Sequence, residues 1–242
     1  MARARTKSKW KGYRRKPRRP LLRLLGKLVF FAIAFTLLWV VAYRFLPVPY
    51  TIPIALDAAD GQRIQKDWEP LDRISPNLVR AVIASEDSHF CEHHGFDVEA
   101  IEKAIKENAA GDRLRGGSTI SQQTAKNAFL WHGRNFVRKG LEAYFTGLIE
   151  LIWGKRRIME VYLNVAEFGP GIYGAEAASR FHFNKGAADL TRNEAARLAA
   201  VLPDPIDRNA GRPGPFVRRH SANIQRWIGV VEADGQDDCV YG

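Results

Sequence analysis

Cysteine is nearly absent from this chain, with Cys91 and Cys239 alone among 242 residues. One bridge at most is possible, and Cys239 lies in a polar C-terminal end, EADGQDDCVYG, so two free thiols are the expectation. Acid is missing from residues 1–27, which hold twelve of the 37 Lys and Arg. The other 25 basic residues face 26 acidic ones, so the formal net charge of +11 belongs to a tail and the body carries −1. A nearly neutral body argues against a nucleic-acid partner. Charge of either sign is missing from residues 28–43, LVFFAIAFTLLWVVAY. Small residues are missing just after this run, where YRFLPVPY offers no small-x-small cleavage site for a signal peptide. An uncleaved single-pass anchor is therefore expected over residues 28–46. Lys27 and Arg44 can snorkel at its ends, and Trp39 and Tyr43 suit an interfacial belt. The basic tail, 1–27, is expected to stay in the cytoplasm, which puts everything after the anchor outside the cytoplasmic (inner) membrane.

The stretch after the anchor, residues 47–74, is Pro-rich and mildly alternating. It predicts an extended connector with one short hairpin at Asp60-Gly61. From Ser75-Pro76 onward the spacing is helical. Asp97 is a candidate cap, helices are predicted over 119–130, 136–153 and 155–166, and Thr191-x-x-Glu194 is a capping box closed downstream by Pro203. A last amphipathic helix is predicted at 216–232, followed by the polar end, 233–242. The body, 75–232, is thus expected to be mainly α, with polar loops between helices.

Four stretches carry chemistry. SEDSHFCEHHGFD, residues 85–97, contains His89-x-x-Glu92-His93, the H-x-x-E-H pattern of one class of zinc peptidases. That pattern needs a continuous helix, and Gly95 with a new cap at Asp97 breaks one here. Glu86 and Asp87 follow an apolar helix, where partial burial raises a carboxylate's proton affinity and makes it a usable base. GGSTISQQTAKN, residues 116–127, pairs a Gly turn with a helix start at Ser118-Thr119 that favours anions. Gln123, Lys126 and Asn127 share one face of that helix. Its single clear apolar position, Ile120, suggests weak anchoring. In RKGLEAYFTGLIE, Arg138, Lys139 and Glu142 fall on adjacent turns, which by itself describes an ordinary surface ion pair. KRRIMEVYLNVAEFG is an amphipathic helix entering a Gly-rich loop, with Lys155 and Arg156 able to add positive charge to a cleft.

In this order the four stretches resemble the peptidoglycan glycosyltransferases of glycosyltransferase family 51, which include the transglycosylase domain of class A penicillin-binding proteins. The pattern E-D-x-x-F-x-x-H-x-G-x-D is matched by Glu86, Asp87, Phe90, His93, Gly95 and Asp97, and G-x-S-T-x-x-Q-Q-x-x-K-N from Gly116 to Asn127. R-K-x-x-E is matched by Arg138, Lys139 and Glu142, and K-x-x-I-x-x-x-Y-L-N by Lys155, Ile158, Tyr162, Leu163 and Asn164. No S-x-x-K serine motif follows the anchor, so the chain resembles the monofunctional type.

The resemblance implies a lysozyme-like α-helical domain that polymerises lipid II on a lipid-linked glycan chain. It implies Glu86 as general base and Glu142 as a second catalytic carboxylate that positions cations or holds a divalent cation, Mg2+ or Mn2+. It further implies that Lys126, Arg138 and Lys139 stabilise the leaving diphosphate, and that Asp87, Phe90, His93, Thr119, Gln123 and Asn127 order the site and the sugars. No organic cofactor is expected. The expected partners are the membrane, the lipid substrates and cell-wall synthesis or division proteins. Two rival readings are a lysozyme-like lytic enzyme and a non-catalytic membrane scaffold. Neither needs a diphosphate-binding cluster.

Overall fold

The structure is a computed structural model that describes residues 20–109, 117–133 and 135–242. Residues 1–19 of the basic tail and Gly116 of the second motif lie outside the described residues. The first helix, α1 (Pro20–Phe45), opens on proline, which suits a first helical position. Its Leu21–Phe45 portion has 25 residues and a mean hydropathy of 2.3, long and apolar enough to cross a membrane. Leu38 closes one compact unit of the chain, and Trp39–Gly242 forms the second.

The end of α1 belongs to that second unit and is built into its core. Trp153 Nε1 donates to the Val40 carbonyl at 2.7 Å, and Arg157 donates to the carbonyls of Tyr43 and Leu46. Carbonyls at a helix end lack intrahelical donors, and here a guanidinium supplies them. Trp39 and Tyr43 pack on Phe129, which stacks on Phe145 with ring centres 4.6 Å apart.

The connector departs from expectation. Residues 52–59 form α2 (Ile52–Ala59), with Thr51 in extended conformation at its start and Pro53 in its first turn. Pro53 and Ile54 are buried, and that tertiary burial outweighs the alternating pattern. No hairpin forms at Asp60-Gly61; Gly61, at φ +87°, carries the chain out of the helix instead. Gln65–Lys66 (β1) then pairs in parallel with Ile172–Tyr173 (β3), which pairs antiparallel with Glu167–Gly169 (β2). This three-stranded sheet, ordered β1-β3-β2, is the exception in a mainly α structure.

The helices of the body follow the predicted spacing: α3 (Pro76–Glu86), α4 (Val98–Ala109), α5 (Ile120–Phe129), α6 (Phe136–Ile152) and α7 (Lys155–Val165). Then come α8 (Ala175–Phe183), which the periodicity did not single out, α9 (Arg192–Val201) and α10 (Pro215–Ala233). The Thr191–Glu194 capping box forms as read. Helices α3, α9 and α10 pack together, and α5 packs between α6 and α7. Helix α5 is not weakly anchored: Ile120, Ser121, Gln122, Thr124, Ala125, Ala128 and Phe129 are all buried. Small and hydroxylated side chains let neighbouring helices approach it closely, which a search for large apolar residues overlooks.

The C-terminal end is likewise built in. Cys91 and Cys239, 148 residues apart, form a disulfide, which corrects the expectation of two free thiols. Around it, α11 (Asp238–Tyr241) buries Val240, Asp237 pairs with Arg80 of α3 at 2.8 Å, and Arg156 donates to the Val240 carbonyl at 2.9 Å. These contacts bring Cys239 back against the Cys91 loop.

Candidate active site

Glu86 is the last residue of α3, where the negative end of the helix disfavours a carboxylate. Burial pushes its pKa up; Asp87 adds to this, while Gln123, Lys126 and Arg208 oppose it. Gln123 Nε2 donates to Glu86 Oε2 at 2.8 Å. The Gln123 carbonyl accepts from the Tyr162 hydroxyl at 3.3 Å, which fixes the amide's orientation. Burial also pushes the Tyr162 pKa well up, so this phenol remains a donor.

Behind Glu86 lies a buried polar frame. His93 Nε2 lies 2.9 Å from Asp87 Oδ1, and Asp87 Oδ2 accepts the Ile120 N–H at 2.9 Å. The Thr119 hydroxyl donates to the Gly95 carbonyl at 2.7 Å, and Thr119 and Gln122 complete a capping box. The N-terminus of α5 is therefore occupied by Asp87 and its own cap, which corrects the reading of Ser118-Thr119 as an open anion site. Phe90 has no exposed surface and belongs to the core, so its expected contact with substrate is not met. Asp87, His93 and Thr119 hold the loop that follows Glu86 against α5, their polar atoms already committed to these bonds. Lys155 lies 2.7 Å from Glu150 Oε1 and 4.5 Å over the Phe90 ring, and Arg156 reaches Asp72. Neither adds charge to the cleft.

On α5, only Gln123, Lys126 and Asn127 escape burial, the three residues that helical spacing put on one face. They line a cavity of about 240 Å³ with Tyr162. Lys126 and Asn127 also line a second, of about 290 Å³, with Arg138. Glu86 borders a third, of about 150 Å³, with Ser85, Ser88 and Ser118. The Glu86–Gln123 pair thus stands at a junction between cavities. Lys126 has no hydrogen-bond or ion-pair partner among the described residues. Burial, chiefly, lowers its pKa, and the Glu142 carboxylate pulls it back up.

Arg138 and Glu142 are buried, not solvated. Arg138 Nη1 donates to Glu142 Oε2 at 3.0 Å, and Lys139 pairs with Glu142 Oε1. Arg138 Nε is buried without a partner, so the guanidinium retains unused donor capacity. With both oxygens of Glu142 engaged by cations, and no set of three or more His, Cys, Asp or Glu able to hold a metal among the described residues, the site does not fit a divalent cation. The expected role of Glu142 as a Mg2+ or Mn2+ ligand is not supported by its surroundings, and no step below passes through a metal.

The transglycosylase family profile matches residues 55–227. The chain belongs to the transglycosylase family. The transglycosylase is 52% identical over 223 residues to a protein of Caulobacter vibrioides named biosynthetic peptidoglycan transglycosylase, covering 92% of this chain and 97% of that relative. Relatives of the same name in Pseudomonas aeruginosa (49% over 222 residues; 89% of this chain, 96% of the relative) and Aeromonas hydrophila (51% over 217 residues; 88% and 92%) are similar to it. The transglycosylase is a glycosyl-transferring enzyme; Glu86 bonds Gln123, and Lys126 shares one cavity with Gln123 and another with Arg138. Residues that motif reasoning missed are Arg208, whose charge acts on Glu86, and Glu167, His132 and Tyr173, which border the Gln123 cavity. No local pattern marks them: Glu167 and Tyr173 face each other across the β2–β3 hairpin, and His132 and Arg208 come from loops in other parts of the chain.

Proposed function

We propose that this enzyme polymerises lipid II into β-1,4 glycan strands. The acceptor's 4-hydroxyl is activated by Glu86 and attacks the anomeric carbon of a glycan chain carried on undecaprenyl diphosphate. A new O–C bond forms as the bond to diphosphate breaks. The hydroxyl proton passes to Glu86, and the diphosphate leaves with the electron pair and inversion. The observation that carries this reading is one proton-seeking carboxylate, held by Gln123, beside an uncommitted, half-buried ammonium, Lys126. A base needs a proton affinity near the working pH, and a developing diphosphate needs fixed positive charge in a partly dry site. Lys126 and the free donors of Arg138 supply that charge. Glu142, paired with Arg138 and Lys139, acts by orienting the cations. Gln123 and Asn127 order the sugars on the open face of α5.

A lipid-linked substrate calls for membrane proximity. Helix α1 supports it, as does α6, which exposes Phe136, Val137 and Leu151. The basic tail favours a cytoplasmic N-terminus, and the Cys91–Cys239 disulfide suits an oxidising compartment for the body. Incubating the purified protein with lipid II tests the proposal. Polymer is the expected product. Soluble sugars released from finished glycan, with no polymer from lipid II, would assign a lytic enzyme instead.

A further inference from the structure

Glu167 is a carboxylate the chemistry above leaves unexplained. It opens β2, directly after α7, and faces Tyr173 across the β2–β3 hairpin. Its Oε1 accepts the Gly171 N–H at 3.1 Å, while Oε2 accepts no hydrogen bond and the group forms no ion pair among the described residues. Burial raises its pKa and Asp57 adds to this, while the Gly171 N–H and His132 oppose it. Gly171, at φ +71°, fixes the turn, because a Cβ there would stand 2.6 Å from the Arg63 carbonyl oxygen. Asp57 takes the Tyr173 hydroxyl and lies 3.5 Å from His132 Nε2, which leaves Glu167 as the uncommitted acceptor on this wall.

Glu167 lines the same cavity as Gln123, Lys126 and Asn127, and Leu202, Pro203 and Pro205 line it too. An uncommitted acceptor and apolar side chains lining one cavity suit a secondary acetamide, with an N–H that only donates and a methyl to bury. We propose that Glu167 determines specificity by receiving the acetamido N–H of an N-acetylated amino sugar, whose methyl sits against Leu202, Pro203 and Pro205. This rests on the sugar-polymerising reading above and assigns one subsite within it.

Glu167→Gln tests the inference. The amide oxygen keeps the Gly171 bond and the turn, and turns an NH2 toward the cavity. That NH2 accommodates a sugar hydroxyl, which can accept, but opposes an acetamide N–H, which cannot. Turnover is measured on lipid II and on a lipid-linked analogue with hydroxyl in place of acetamido. Wild type is expected to favour lipid II by ten-fold or more in kcat/KM, since the hydroxyl analogue has no methyl to bury against Leu202, Pro203 and Pro205. E167Q should raise KM for lipid II about ten-fold with kcat within about two-fold, as for lost uniform binding, and collapse the preference. The preference is a ratio on one enzyme sample, so partial unfolding cancels from it. An undiminished preference and unchanged KM in E167Q overturn the inference while polymerisation stands. A wild-type protein that makes no polymer overturns the underlying reading instead.

Discussion

Gln123 donates its side-chain amide to Glu86 Oε2 at 2.8 Å while accepting from Tyr162, so the proposed base is held by a residue that is itself held. That bond favours the ionised carboxylate and partly offsets the burial that raises its pKa. Gln123→Ala should therefore raise the pKa of Glu86 further. Since the base works deprotonated, the acid limb of the kcat/KM profile against pH should move to higher pH. An unmoved limb would separate Gln123 from the titrating group.

Glu86→Gln keeps shape and removes the proton acceptor, so polymerisation should fall by about 10²–10⁴-fold. Stability should move the other way. A carboxylate whose folded pKa is raised contributes its full stability below the unfolded pKa, and that contribution is lost as pH rises through the folded pKa. Near neutral pH the variant should melt no lower than wild type, with its advantage shrinking toward acid pH. Near-wild-type turnover of lipid II by this variant would falsify the general-base assignment.

Lys126 and Arg138 should part company. Lys126 has no partner among the described residues, so Lys126→Gln should cut the rate ten-fold or more with little change in melting. Arg138→Gln removes one of the two cations on buried Glu142. Breaking such a pair costs about 3–5 kcal/mol, so melting should fall along with rate. Arg138→Lys should restore the charge but not the guanidinium's geometry, giving partial rescue of both. Calorimetry beside lipid II kinetics measures each. Unchanged rates in Lys126→Gln would remove the case for a diphosphate leaving group there.

The disulfide ties the loop after Glu86 to the C-terminal helix across 148 residues. Cys239→Ser should lower stability by about 2–4 kcal/mol, and reduction of wild type should reproduce the shift. Mass spectrometry under non-reducing conditions checks the bond directly. Two free thiols in protein taken from an oxidising compartment would rule it out.

A reporter fused after Gly242 should work only if it functions outside the cytoplasm, given the twelve basic residues before the apolar run. Cytoplasmic activity of that fusion would reverse the topology.

What the sequence by itself determined is whatever depends on neighbours along the chain. The apolar run spans a helix because length and hydropathy suffice. The face bearing Gln123, Lys126 and Asn127 was legible because helical periodicity is local, and the structure leaves those three open on α5. What only tertiary structure decided is where distant segments meet, since burial and pairing depend on closures that no local spacing encodes. Arg138 and Glu142 read as a solvated pair and are buried. Helix α2 formed where alternation predicted extension, because its apolar residues found a core to enter. Cys239 met Cys91 because Asp237 and Val240 anchor the C-terminal end on the body. Glu167 and His132 line one cavity from separate segments, and Asp57 of α2 lies 3.5 Å from His132, so contact there arises only once the chain is folded.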